Sequence, residues 1–154
     1  MRTRLPVTLA SLTLAATGAL GALAPAAPAA PSVREQADRI MNLGYAEFAR
    51  TPHVAPFNWT NDGCSVPTGY TPYRKVFEPA CVQHDFGYRN YGALHELRLS
   101  PTRETRRWID GRFRTEMRHI CEDTYTTPLR LHGCLAAADA YHLAVRAGGG
   151  KAFY

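Results

Sequence analysis

The chain predicts an all-α fold: a small disulfide-stapled helical domain preceded by a signal peptide. Three observations predict it. Apolar residues recur at three-and-four spacing in four separate stretches. The four cysteines, Cys64, Cys81, Cys121 and Cys134, are an even number with no CxxC pair, which favours disulfides over a zinc site and leaves three connectivities open. The amino end reads Met-Arg-Thr-Arg, then an apolar run from Leu5 to Leu23, then small-residue exits around Ala26 and Ala29, the pattern of a secretory leader. Residues 1–30 are therefore assigned to the signal peptide and 31–154 to one domain.

Composition sets the outer bounds. Of 154 residues, 45% are apolar and 20% charged, a globular balance. The length excludes a two-lobed kinase, an α/β barrel or a dinucleotide fold with a substrate domain. The 18 basic residues outnumber 13 acidic ones, and loss of Arg2 and Arg4 with the leader reduces the net charge from +5 to +3. A mildly basic exported domain suits an anionic surface. Scattered arginines without zinc-finger or ribonucleoprotein motifs argue against nucleic acid.

The first helix is expected over Val33–Arg50. Ser32 is its N-cap, Val33, Ala37, Ile40, Met41, Gly44 and Phe48 are its buried stripe, and Thr51-Pro52 is its stop. From Pro52 to Glu78 four prolines and two glycines destroy any helical period, and so long a connection in a compact domain is usually functional. The second helix is expected to begin with Pro79 in its first turn and to weaken at Gly92. The third is expected to begin after Ser100-Pro101, with Ser100 as N-cap and Ile109, Phe113, Met117 and Ile120 inward, and to run to about Cys121. The fourth spans Leu131–Ala147, and Gly148-Gly149-Gly150 is expected to stop it and leave a loose tail.

The chemistry collects on the second helix. Residues three and four apart share a helix face, so Cys81, His84, Asp85 and Tyr88 crowd one side of it. If Cys64 pairs with Cys81, Asp62 and Gly63 are fastened over that face. Carboxylates and exposed carbonyls then converge beside a histidine, a donor set for calcium. On the third helix Asp110 sits at the edge of an apolar stripe, where a carboxylate needs a partner. Hydrogen bonding to His84 would supply one and fix the ring tautomer; pairing with Arg106, four residues earlier, is the plainer alternative.

The run Cys81-Val82-Gln83-His84-Asp85-Phe86-Gly87-Tyr88-Arg89-Asn90-Tyr91 resembles the catalytic helix of the secreted prokaryotic and fungal phospholipase A2 family. The resemblance extends to the loop Phe57–Cys64 and to Trp108-Ile109-Asp110, covering roughly Phe57 to Cys134. It implies that residues 31–154 form a phospholipase A2-like catalytic domain, with His84 as general base and Asp110 as its partner. Asp62, Asp85 and the carbonyl of Gly63 would bind calcium, and the disulfides would be Cys64–Cys81 and Cys121–Cys134. The implied activity is calcium-dependent hydrolysis of the sn-2 ester of glycerophospholipids by a monomer, outside the cell, at a phospholipid membrane or micelle surface. Phe57, Trp59, Phe77 and Tyr88 are candidates to line the acyl slot, together with apolar residues of the first helix. Gln83 departs from the family where arginine commonly precedes the histidine, and Gly63 where a larger residue can stand. A non-catalytic, membrane-binding or toxin-like module on the same scaffold is the alternative, disfavoured because a binder has no use for a base with an orienting acid. The absence of a Gly-x-Ser-x-Gly elbow removes the usual serine-esterase route.

Overall fold

The structure is a computed structural model that describes residues 30–64 and 70–154. The expected signal peptide lies outside the described residues apart from Ala30. The described residues are mostly helical and contain no strand. They form α1 (Val33–Met41), α2 (Tyr45–Phe48), a 3-10 turn at Thr71–Tyr73, α3 (Arg74–Tyr91), α4 (Arg103–Thr124), α5 (Pro128–Gly148) and α6 (Gly150–Phe153). Among them no helix is long and apolar enough to cross a membrane.

The expected first helix is in fact two. Ser32 caps α1 through a reciprocal box with Glu35, but α1 ends at Met41 and Gly44 opens the short α2. Ala37, Met41 and Phe48 are buried as the stripe requires, whereas Val33 is exposed. Gln83 explains the break. Its amide donates to the carbonyls of Met41 and Leu43, and Arg112 donates to the same pair. Side chains from α3 and α4 thus satisfy the carbonyls that end α1. Gln83 is therefore a buried structural residue.

The second expected helix starts earlier than Pro79 suggests. α3 begins at Arg74, and Pro79 lies inside it. A proline in the second turn forfeits one bond, to the carbonyl of Lys75, and Lys75 is exposed, so water can serve that oxygen. Likewise α4 is capped by Thr102, whose hydroxyl accepts from the Thr105 amide, while Ser100 bonds the Thr105 hydroxyl instead. Ile109, Phe113, Met117 and Ile120 are buried as expected.

Two apolar clusters divide α3 along its length, one on its first half and one on its second. Phe77, Ala80 and Cys81 pack with Phe113, Met117, Ala137 and Tyr141 of α4 and α5. Phe86 and Tyr91 pack with Met41, Phe48, Phe57, Ile109 and Phe153. Both disulfides form in the pairing the resemblance implies: Cys64–Cys81 ties the loop to α3, and Cys121–Cys134 ties α4 to α5. Each closes a short loop, a cross-link worth about 3 kcal/mol against the unfolded chain.

The expected loose tail is corrected. After Gly149 the chain turns into α6, and Phe153 is fully buried against Tyr88 and Tyr154. Its carbonyl accepts from the Ala93 amide at 2.7 Å. An aromatic three residues past a glycine run has no periodic partner in sequence, so only the tertiary fold reveals its place.

Candidate functional site

α3 supplies His84, Asp85 and Tyr88 within two turns, and α4 supplies Asp110. The two helices must approach closely for these to meet. Gly87 permits it: a Cβ there would lie 2.7 Å from Cγ2 of Ile109 and 3.2 Å from Cε of Met41. With that clearance, Nε2 of His84 stands 3.0 Å from Oδ1 of Asp110.

Asp110 is fully buried, and its surroundings account for that. Tyr88 donates its hydroxyl to Oδ1 at 2.9 Å, and Arg146 of α5 donates to Oδ2 at 3.0 Å. Arg106 lies 3.7 Å from Oδ2 and donates to the Tyr88 oxygen at 3.1 Å. Burial pushes the Asp110 carboxyl up, but the bonds and charge from His84, with the bonds from Tyr88 and Arg146, outweigh it and hold the group below its ordinary value. An ionised carboxylate only accepts hydrogen bonds, so Asp110 selects the Nε2–H tautomer of His84 and leaves Nδ1 with its lone pair. Tyr88 stays a phenol, its pKa raised chiefly by burial. The histidine stands beside Asp110 as expected, and Arg106 is near too, but Asp110 is fully buried and not the helix-surface acid that pairing with Arg106 alone would make it. A buried carboxylate calls for compensating cations, but spacing within one helix does not point to Arg146, a residue on another.

The loop side differs. The Asp62 amide donates to Oδ2 of Asp85 at 3.0 Å, and the Asp62 carboxylate is largely in solvent, 3.5 Å from Arg89. Burial raises the Asp85 carboxyl to about 6, the Asp62 amide opposes that rise, and the nearby Asp62 charge adds to it. Gly63 has φ +76°, a left-handed conformation that glycine takes without strain, so this residue suits the turn better than a leucine would. The donor set fits a hard cation: two close carboxylates and a turn carbonyl, all oxygen, with one carboxylate raised by its burial. Among the described residues no three His, Cys, Asp or Glu side chains form a ligand cluster, so further ligands would be backbone carbonyls and water.

These groups share a cavity of ≈ 390 Å³, lined by Asp62, Gly63, Cys81, His84, Asp85, Tyr88 and Phe113 and closed by residues of α5 and α6. Of the four residues suggested as an acyl lining, the structure places only Tyr88 there. Phe77 is fully buried between Tyr73 and Tyr141. Phe57 and Trp59 line a separate depression with His53 and Leu94. They face away because buried Asn90 of α3 exchanges hydrogen bonds with the main chain of Asn58 at 2.8 and 2.9 Å. No residue of the first helix lines the cavity.

A family model described as prokaryotic phospholipase A2 matches residues 40–149, a span that holds both long helices of the site, the loop and all four cysteines. The chain belongs to the prokaryotic phospholipase A2 family. It is also 35% identical over 108 residues to a secretory phospholipase A2 of Beauveria bassiana (strain ARSEF 2860), across 70% of this chain and 52% of that protein. A secretory phospholipase A2 of Arthroderma benhamiae (strain ATCC MYA-4681 / CBS 112371) is 30% identical over 94 residues, across 58% of this chain and 57% of its own. The chain thus spans little more than half the length of either relative. Within this phospholipase A2 family member, His84, Asp85, Gly87, Tyr88 and Asn90 each have a structural role, so the recognisable helix is accounted for residue by residue.

Proposed function

We propose that the chain is an exported phospholipase A2 that hydrolyses the sn-2 ester of glycerophospholipids with the aid of calcium. The observation that carries the reading is the His84–Asp110 pair, with His84 lining a cavity that Asp62, Gly63 and Asp85 also line. Family membership and the names of the two fungal relatives support it. Two disulfides suit an oxidising compartment, and a leader over residues 1–30 would provide the route there.

The chemistry follows from the groups present. His84 Nδ1 takes a proton from a water as the water oxygen attacks the ester carbonyl carbon. Asp110 holds the ring in place and stabilises the imidazolium that forms. The bond to the glycerol oxygen then breaks, and His84 returns its proton to that oxygen, releasing fatty acid and lysophospholipid. Tyr88, Arg106 and Arg146 keep Asp110 ionised throughout. Asp62, Asp85 and the Gly63 carbonyl would hold calcium, which when bound supplies Lewis-acid polarisation of the ester carbonyl and a counter-charge for the phosphate. The substrate would be met at a membrane or micelle surface by a monomer.

Fatty-acid release from phosphatidylcholine vesicles, with products identified by position, tests the reading. Calcium should support release and chelator abolish it; undiminished release in chelator rejects the metal role. His84→Gln should lower turnover by about 10²–10⁴-fold, the usual contribution of a general base. Wild-type turnover in that variant rejects the base.

A further inference from the structure

The acyl wall of the cavity is built by the end of the chain. Ala144, Val145, Gly148 and Gly149 of α5 and its cap, with Ala152 of α6, line the cavity opposite α3 and α4. Ala144, Gly148 and Ala152 are also exposed, so they form its rim, while Val145 and Gly149 lie deeper. The wall is held firmly. Arg106 donates to the carbonyls of Val145 and Arg146 at 2.6 and 2.9 Å, and Phe153 anchors α6 with its ring centre 5.1 Å from that of Tyr88. The same Arg106 and Tyr88 support Asp110, so the wall has a set position relative to the His84 imidazole, which lines the same cavity.

Two adjacent glycines behave differently. A Cβ on Gly149 would meet the Tyr88 hydroxyl at 2.5 Å, so glycine is needed there for the wall to close on the catalytic network. A Cβ on Gly148 would meet nothing within 4 Å. Neither packing nor backbone conformation requires glycine at position 148, yet it lies on the rim of an apolar cavity one helical turn from Ala144. At ≈ 390 Å³ the cavity holds roughly a dozen water-sized groups. A long acyl chain with its ester at His84 therefore has to leave over the rim, whereas a short one ends inside.

We propose that the rim formed by Ala144 and Gly148 is the specificity determinant for acyl-chain length, kept small so that long chains can pass; this rests on the ester-hydrolysis reading above. Neither residue has a polar side-chain atom with which to bond His84 or Asp110. Gly148→Leu and Ala144→Leu, assayed separately against phosphatidylcholines bearing hexanoyl or hexadecanoyl chains in mixed micelles, test it. Each variant should lower kcat/KM for the long chain by about tenfold, the scale on which a pocket discriminates a few methylene groups, while the short-chain value stays within about threefold of wild type. Equal effects on both substrates, or none on either, overturn the rim as the determinant and leave the hydrolysis reading intact. A wild-type protein that cleaves neither substrate overturns the hydrolysis reading and the rim proposal with it.

Discussion

His84 and Asp85 are neighbours on one helix but belong to two differently built halves of the site. On the His84 side every partner stands on a long helix. Asp110 is fully buried and takes bonds from three side chains. On the Asp85 side the partner is a loop, tied to α3 by the Cys64–Cys81 disulfide, the Asp62 amide and the Asn58–Asn90 bonds, with the Asp62 carboxylate mostly in water. The contrast shows a division of labour. The helical half fixes a tautomer and a charge before any ligand arrives, and the loop half presents oxygens whose repulsion a ligand would relieve. Perturbing one half should therefore cost stability, and perturbing the other should cost ligand binding.

The largest break in that pattern should come from Asp110→Asn. It leaves Arg146 and Arg106 without their carboxylate and removes the group that selects the His84 tautomer. Losing one member of a buried charge network costs about 3–5 kcal/mol, measurable by urea unfolding, and turnover should fall by a decade or more. The effect has a pH signature. The folded carboxyl of Asp110 lies below its ordinary 3.8, so its contribution is complete above that value and is lost as pH falls through the folded pKa. The stability gap between wild type and variant should be full at pH 7 and narrow below about pH 4. A gap that stays constant to low pH means the network does not depend on the ionised carboxylate.

Replacing both Cys64 and Cys81 by serine tests the loop half. The variant should lose about 3 kcal/mol, mainly through a less restricted unfolded chain. On the proposed reading it should also bind calcium more weakly in titration calorimetry, because Asp62 and Gly63 are no longer fastened over Asp85. Gly87→Ala sharpens the helical half. Its added methyl meets Ile109 and Met41, and overpacking of this kind costs about 1–3 kcal/mol. Since it wedges α3 from α4 beside the His84–Asp110 bond, turnover should fall further than stability alone explains. Unchanged turnover would show that the bond tolerates a wider helix spacing.

The legibility of the sequence follows the same divide. Helical spacing brings His84, Asp85 and Tyr88 together, and the stripe of Ile109, Phe113 and Met117 marks Asp110 as a carboxylate needing partners. Those are local signals with a 3.6-residue period. The Arg146 contact, the closure of α6 by Phe153, and the turning of Phe57 and Trp59 away from the cavity by Asn90 are long-range and carry no period. Pro79 misleads for a related reason: a helix start is favoured by proline in its first turn, yet one lost bond at an exposed carbonyl is tolerated in the second. Large aromatic residues are the obvious apolar lining in sequence, whereas α5 and α6 line the cavity with alanines, glycines and Val145, whose meaning depends on what they leave empty.

The smallest expected effect on stability completes the comparison. Asp62→Asn removes a carboxylate that is largely in solvent and keeps the backbone amide that bonds Asp85. The ion pair with the half-buried Arg89 is long, at 3.5 Å, and the carboxylate is screened by water, so unfolding free energy should change by no more than about 1 kcal/mol. Calcium affinity, measured by titration calorimetry on the same preparation, should fall clearly, because half of the anionic charge offered to the ion is gone. The Asp110 and Asp62 variants would then separate the halves, one losing stability while the other loses the ion. If Asp62→Asn instead destabilises the fold as much as the Asp110 variant does, the loop is part of the rigid frame, and its oxygens are as preorganised as the imidazole they adjoin.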